Sequence, residues 1–156
     1  MFRISRAEEQ ALRLTMRLAT AGSQQTLGEL ADAEQLPGPT VAKLLGQLKR
    51  GGVVDAVRGR HGGYVLADLP TRISAARILQ SVASDSTFGY PCKCKEHLDA
   101  CVWLRDCGLR PVWRRLDEHI QQVLEKTTVA EMIQKEAVVL DQMKIVQQTA
   151  GRDFSE

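Results

Sequence analysis

Residues 53–67 read VVDAVRGRHGGYVLA, in which two β-prone runs, Val53–Arg58 and Tyr64–Ala67, flank a glycine-rich turn at Gly59–Gly63. Such a pattern predicts a β-hairpin. The glycines do not read as a phosphate-binding loop, because no G-K-[ST] follows and the next element is a strand rather than a helix. What precedes this hairpin then fixes the fold class.

Three helical segments come before it. Ser5-Arg6-Ala7-Glu8 has the S-x-x-E form of a capping box, and Leu12, Met16 and Ala19 recur at helical spacing, so a first helix is expected over about residues 6–21, ended by Gly22. Thr26–Glu29 repeats the box and opens a short helix that ends near Gln35. Pro37-Gly38-Pro39 makes a turn, and Pro39 suits the first turn of a helix, where its missing N–H costs nothing. That helix, about 38–50, carries Val41, Leu44, Leu45 and Leu48 on its inner face and stops at Gly51-Gly52. Three short helices followed by a hairpin make a winged helix-turn-helix, with the third helix placed to enter a DNA major groove.

Downstream, Thr71–Ser84 holds a fourth helix with Ser74 as its cap, after which periodicity is lost through residue 98. It returns after Cys107, where Leu109, Val112, Trp113, Leu116, Ile120, Val123 and Leu124 form one apolar stripe. A long helix with such a stripe needs a surface to cover it, either its own domain or an antiparallel helix of a second subunit. Thr128-Val129-Ala130-Glu131 is a third capping box, and the remainder to about Thr149 reads as an amphipathic helix. The fold expected is mainly α with a small β-hairpin wing: a winged helix-turn-helix plus a long dimerisation helix. It divides into a DNA-binding unit over 1–84, a cysteine-rich loop over 85–108, and the dimerisation helix with its tail over 109–150.

Charge points to the partner. Between Gly38 and Leu66, Lys43, Lys49, Arg50, Arg58 and Arg60 stand against the single acid Asp55, although the whole chain carries a net charge of only +2. Cations gathered in one unit suit nucleic acid. Lys43, Lys49 and Arg50 are placed to meet phosphates, and Thr40, near the start of the third helix, to reach a base edge or a phosphate. No apolar run approaches the roughly 18–20 residues that span a bilayer, and MFRISRAEEQ lacks a signal-type apolar stretch, so a cytoplasmic protein is expected. The three histidines, His61, His97 and His119, fall in no Ser-His-Asp or H-E-x-x-H arrangement, and no Walker pattern occurs, so the chain does not read as an enzyme.

All four cysteines fall within CKCKEHLDACVWLRDC, residues 92–107. In a reducing compartment thiols favour metal or redox chemistry over disulfides. Iron–sulfur clusters take soft thiolates. Zinc would accept three thiolates with His97, although C-x-C is tighter than the usual zinc knuckle. A metal-free thiol switch is also open, since Lys93, Lys95 and Arg105 would lower thiol pKa values.

The string VRGRHGGYVLA resembles the R-G-x-x-G-G-Y-x-L-A wing signature of the Rrf-type transcription regulators, the IscR-, NsrR- and RirA-like proteins. The preceding L-x-x-L-K-R-G-G-V-V is similar to the end of that family's recognition helix, and CGLRPVW and TTVAEM to its downstream segments, so the resemblance spans about residues 3–134. It implies a homodimer that binds a palindromic operator in double-stranded DNA and acts as a repressor. A [2Fe–2S] or [4Fe–4S] cluster would set operator affinity in response to nitric oxide, iron or redox status. The implied ligands are Cys92, Cys101 and Cys107, with Cys94 as alternate first ligand and Glu9 of the other subunit as candidate fourth. Glu9 also reads simply as an N-terminal helix carboxylate favoured by the dipole. The resemblance places Arg58 as the wing arginine that enters the minor groove; Arg60 and His61 replace the smaller residues often found in that turn, so the wing tip is expected to contact more of the DNA backbone. Ala42 stands where some relatives carry a base-facing glutamate, which removes one way of discriminating between sites.

Overall fold

The computed structural model describes residues 4–59, 62–83, 107–136 and 138. Element order is α1 (Arg6–Ala21), α2 (Leu27–Glu34), α3 (Gly38–Arg50), β1 (Val54–Val57), β2 (Gly63–Leu66), α4 (Ala75–Val82), α5 (Leu109–Lys126) and α6 (Val129–Met132). Among these residues no helix is long and apolar enough to cross a membrane.

All three capping boxes form. Ser5 Oγ accepts from the Glu8 N–H at 3.3 Å while the Ser5 N–H donates to the Glu8 carboxylate at 2.6 Å, and Thr26–Glu29 and Thr128–Glu131 repeat the exchange. The Thr26 backbone N–H, reinforced by its hydroxyl, holds the Glu29 carboxyl below its ordinary pKa. A depressed carboxylate stabilises the fold above its unfolded-state pKa, and that contribution is lost as pH falls through the folded one.

The core lies where α1, α2, α3 and α4 converge, and Leu14, Leu30, Val41, Leu45, Leu48, Ile73 and Ile78 are fully buried in it. Glu34, at the end of α2, is also buried. Its two carboxylate oxygens accept from Arg13 Nε at 2.8 Å and Arg17 Nε at 2.9 Å, which ties α2 to α1 through charge-assisted bonds. Together α2 and α3 form the helix-turn-helix.

The hairpin runs antiparallel in the register Val54↔Leu66 through Val57↔Gly63. Both strands are shifted from the limits read in the sequence, for two reasons. The Val53 N–H caps the end of α3 by donating to the Leu48 carbonyl at 2.9 Å. Gly63, read as part of the turn, instead belongs to β2, where Gln25 crosses it: Tyr64 and Gln25 exchange both backbone hydrogen bonds, at 2.8 and 3.0 Å. The wing is thereby sewn to the loop before α2.

A second short bridge joins Ser74 to Thr128. Ala75 N–H donates to the Thr127 carbonyl at 2.8 Å, Val129 N–H to Ile73 at 2.9 Å and Ala130 N–H to Pro70 at 3.1 Å. These bonds hold residues 70–73 beside the end of α5, and α4 starts at Ala75 with Ser74 as its cap, as the sequence predicts. They also fix the C-terminal end of α5 to the winged unit, where Val129 enters the core fully buried.

Candidate nucleic-acid interface and thiol segment

The inner face of α3 buries Val41, Leu44, Leu45 and Leu48, so its other face is turned to solvent and presents Ala42, Lys43, Lys49 and Arg50. Thr40 is half-buried in the first turn, its N–H donating to Pro37 at 2.9 Å. Gly51 and Gly52 carry the chain directly from α3 into β1, so Lys49 and Arg50 stand at the base of the wing. Arg58 lies exposed just past the end of β1, roughly 13 Å further along at about 3.3 Å per residue. Lys43, Lys49, Arg50 and Arg58 take no part in any ion pair among the described residues, whereas Arg13, Arg17, Arg72 and Arg114 are all paired within the chain. The cations of the helix and the wing are thus among those left free for an external anion. Arg60 and His61 lie outside the described residues.

Sequence reasoning singled out the charges on α3 but passed over Gly46. Gly46, one turn after Ala42, lies beneath Arg50, whose Nη1 stands 3.9 Å from where a Cβ would be, so the short residue makes room for that guanidinium on the helix surface. The signal was present as a glycine one turn before Arg50.

Of the thiols, Cys107 is described: a free, half-buried cysteine just before α5, its carbonyl accepting from the Arg110 N–H at 3.2 Å. Cys92, Cys94, Cys101 and His97 lie outside the described residues, and among the described ones no three His, Cys, Asp or Glu side chains converge. The two N-terminal carboxylates are separated by role. Glu8 is buried in the capping box, whereas Glu9 is exposed on the outside of α1.

The stripe on α5 resolves into two faces. Trp113, Asp117, Ile120, Gln121 and Leu124 are half-buried, and α4 is the main element against which α5 packs. Leu109, Val112, Leu116 and Val123, spaced 3, 4 and 7, remain 63, 58, 49 and 61% exposed. Its own domain thus takes part of the stripe, and the rest is open.

A helix-turn-helix with its second helix bared, a wing beside it and unpaired cations on both define a DNA-binding winged-helix protein. The family model described as Rrf2, iron-dependent transcriptional regulator, matches residues 4–135, and the chain belongs to that family. It is a transcriptional regulator of the Rrf2 family, whose members bind DNA; its relatives are regulators rather than enzymes. The chain is 34% identical over 103 residues to slr0846 of Synechocystis sp., a candidate helix-turn-helix transcriptional regulator, covering 66% of this chain and 67% of that one. It is 29% identical over 121 residues to the transcriptional regulator IscR of Serratia proteamaculans, covering 76% and 71%. Among solved structures, CymR, the global cysteine regulator of B. subtilis, superposes with a TM-score of 0.68 at 24% identity over 85% of this chain and 97% of that one.

Proposed function

We propose that the protein is a homodimeric repressor whose affinity for a palindromic operator is set by an iron–sulfur cluster bound in its cysteine segment. The observation that carries the DNA half of this reading is the set of exposed, unpaired cations on α3 and at the wing. Lys43, Lys49 and Arg50 meet phosphates, Thr40 a base edge or phosphate, and Arg58 the minor groove, with Arg60 and His61 at the wing tip. The open face of α5 supports the dimer.

The donor set fits the cluster. The thiols gathered within sixteen residues are soft ligands of the kind such clusters take, and Cys107 is a free thiol just before α5. Cys92, Cys101 and Cys107 would hold the group, Cys94 is the alternate, and Glu9, exposed on α1, would reach it from the other subunit. When bound, the cluster supplies a centre that reacts with nitric oxide, oxidants or chelators. The chain's own part is mechanical: ligating thiols tether residues 85–108 between the winged unit and α5, which holds the two recognition helices at the spacing of two half-sites, about 34 Å or a multiple of it.

Two experiments test this. Protein purified without oxygen is expected to be brown, with stoichiometric iron and sulfide, and Cys101→Ala or Cys107→Ala to lose both colour and at least about tenfold in operator affinity at fixed salt. Equal affinity with and without the cluster would sink the switch. Colourless wild-type protein holding zinc through the cysteines and His97, or carrying only reactive thiols, would replace it with a structural zinc site or a redox switch. The second experiment concerns phosphates. Lys49→Ala and Arg50→Ala should each weaken binding evenly across DNA sequences and reduce the slope of log affinity against log salt by about 0.9. An unchanged slope would remove those residues from the interface.

A further inference from the structure

We propose that Arg77 is a positioning residue for operator recognition: from α4 it holds the C-terminal end of α3 at a fixed angle to α5 and so sets the separation of the two recognition helices. This rests on the dimeric DNA-binding reading above.

The contact is close and many-sided. Arg77 Nε donates to the carbonyl of Gly51, the residue that ends α3, at 3.3 Å, placing a cation at the negative end of that helix dipole. A Cβ on Gly51 would overlap the Ser81 side chain, and one on Gly52, whose φ is +66°, would lie 2.7 Å from Arg77 Nη2. Two glycines in succession are therefore what lets the end of α3 come down onto α4. The backbone of Arg77 is held on both sides along α4. Its N–H donates to the cap oxygen of Ser74 at 3.3 Å, and its carbonyl accepts from Ser81 Oγ at 2.7 Å.

The opposite end of the path is equally tied. α4 packs on both α3 and α5, and the Ala75 N–H bond to Thr127, at 2.8 Å, joins its first residue to the end of α5. Recognition helix and dimer helix are thus connected through one eight-residue element. Arg77 is exposed and adds nothing to the apolar core, which α4 supplies through Ile78, Leu79 and Val82. Its loss should cost orientation rather than folding.

The test uses full-length protein purified without oxygen and a duplex that wild-type protein selects from a randomised library. Affinity is measured for that duplex, for the same duplex with one half-site scrambled, and for versions with one or two base pairs inserted between half-sites. Arg77→Ala, and Arg77→Lys, which keeps the charge but lacks the Nε donor, should remain dimeric and keep half-site affinity within about twofold. Both should bind the full site roughly tenfold more weakly, the worth of one charge-assisted hydrogen bond, and be less sensitive than wild type to inserted base pairs. Unchanged full-site affinity overturns the inference. Equal loss on full and half sites with a shallower salt slope also overturns it, making Arg77 a direct phosphate contact. Should Arg77→Ala unfold, Arg77→Lys carries the comparison, and unfolding of both would make the residue structural. Wild-type protein that runs as a monomer or selects no duplex overturns the regulator reading, and this inference with it.

Discussion

Leu116→Glu combined with Val123→Glu is expected to produce a folded monomer that has lost about a thousandfold or more of its operator affinity, falling to the level of non-specific binding. Both side chains lie on the open face of α5, with 49 and 61% of their surface exposed within one chain and neither in the buried core, so the winged unit should stay folded when they change. What they give up is external. An exposed apolar seam on a long helix is stable in water only when covered, and two carboxylates per copy facing each other would oppose that cover. The occupant proposed above is a second copy, and the charge pattern of α5 favours an antiparallel arrangement of the two. The first half of α5 exposes Arg110, Arg114 and Arg115, whereas the second exposes Glu118 and Glu125 against Lys126, so reversing one helix brings unlike charges toward each other. Sedimentation of the variant beside wild type, with thermal melting to confirm an intact winged unit, checks the expectation. A variant that stays dimeric would show that this face is not the interface.

Gly63→Ala should have the next largest effect, this time within one chain. A Cβ there would stand 2.5 Å from the Gln25 carbonyl oxygen and 2.9 Å from its carbon. The obstruction is backbone that is itself pinned by the paired bonds between Gln25 and Tyr64, so no side-chain rotation relieves it. Either the core strains or the bridge opens, at a cost of roughly 2–4 kcal/mol from overpacking and two lost hydrogen bonds. The melting temperature should fall by about 10 °C. Because the hairpin can swing free, the cost is capped by its release, and amide exchange at Gln25 and Tyr64 should then rise far more than in α1. Gly28→Ala is the control. Its added Cβ meets nothing nearer than the Thr26 hydroxyl at 4.0 Å, so it should be neutral or slightly stabilising. Equal melting of the two variants would contradict this account of the wing.

Much of this architecture was legible because its determinants are local. Each capping box lies within four residues, and each marked a true helix start; Gly22 and Gly51-Gly52 marked true ends. The features that escaped depend on distant partners. Gly63 looks like turn glycine until Gln25, 38 positions earlier, is laid across it. The α5 stripe looks continuous because periodicity reports that a residue is apolar, not which of two surfaces it meets. Arg77 carries no pattern at all; its role appears only when Gly51, 26 residues away, is brought beside it. For the candidate site the division is similar. The cations of α3 and Arg58 stand exposed as their polarity dictates, and the S-x-x-E spacing that marks Glu8 as the cap residue leaves Glu9 outside it, exposed. Of the thiols, Cys107 alone falls within the described residues.

The stitching of Thr127–Ala130 to Pro70–Ala75 makes α5 a lever. Its pivot is at the C-terminal end, held by three backbone hydrogen bonds, and its 18 residues extend about 27 Å from there. Each degree of tilt at the pivot moves the far end by about half an ångström, and Cys107 sits at that far end. A modest pull on the thiol therefore acts on the pivot with the full length of the arm, and the pivot rests against α4, the element that touches the recognition helix.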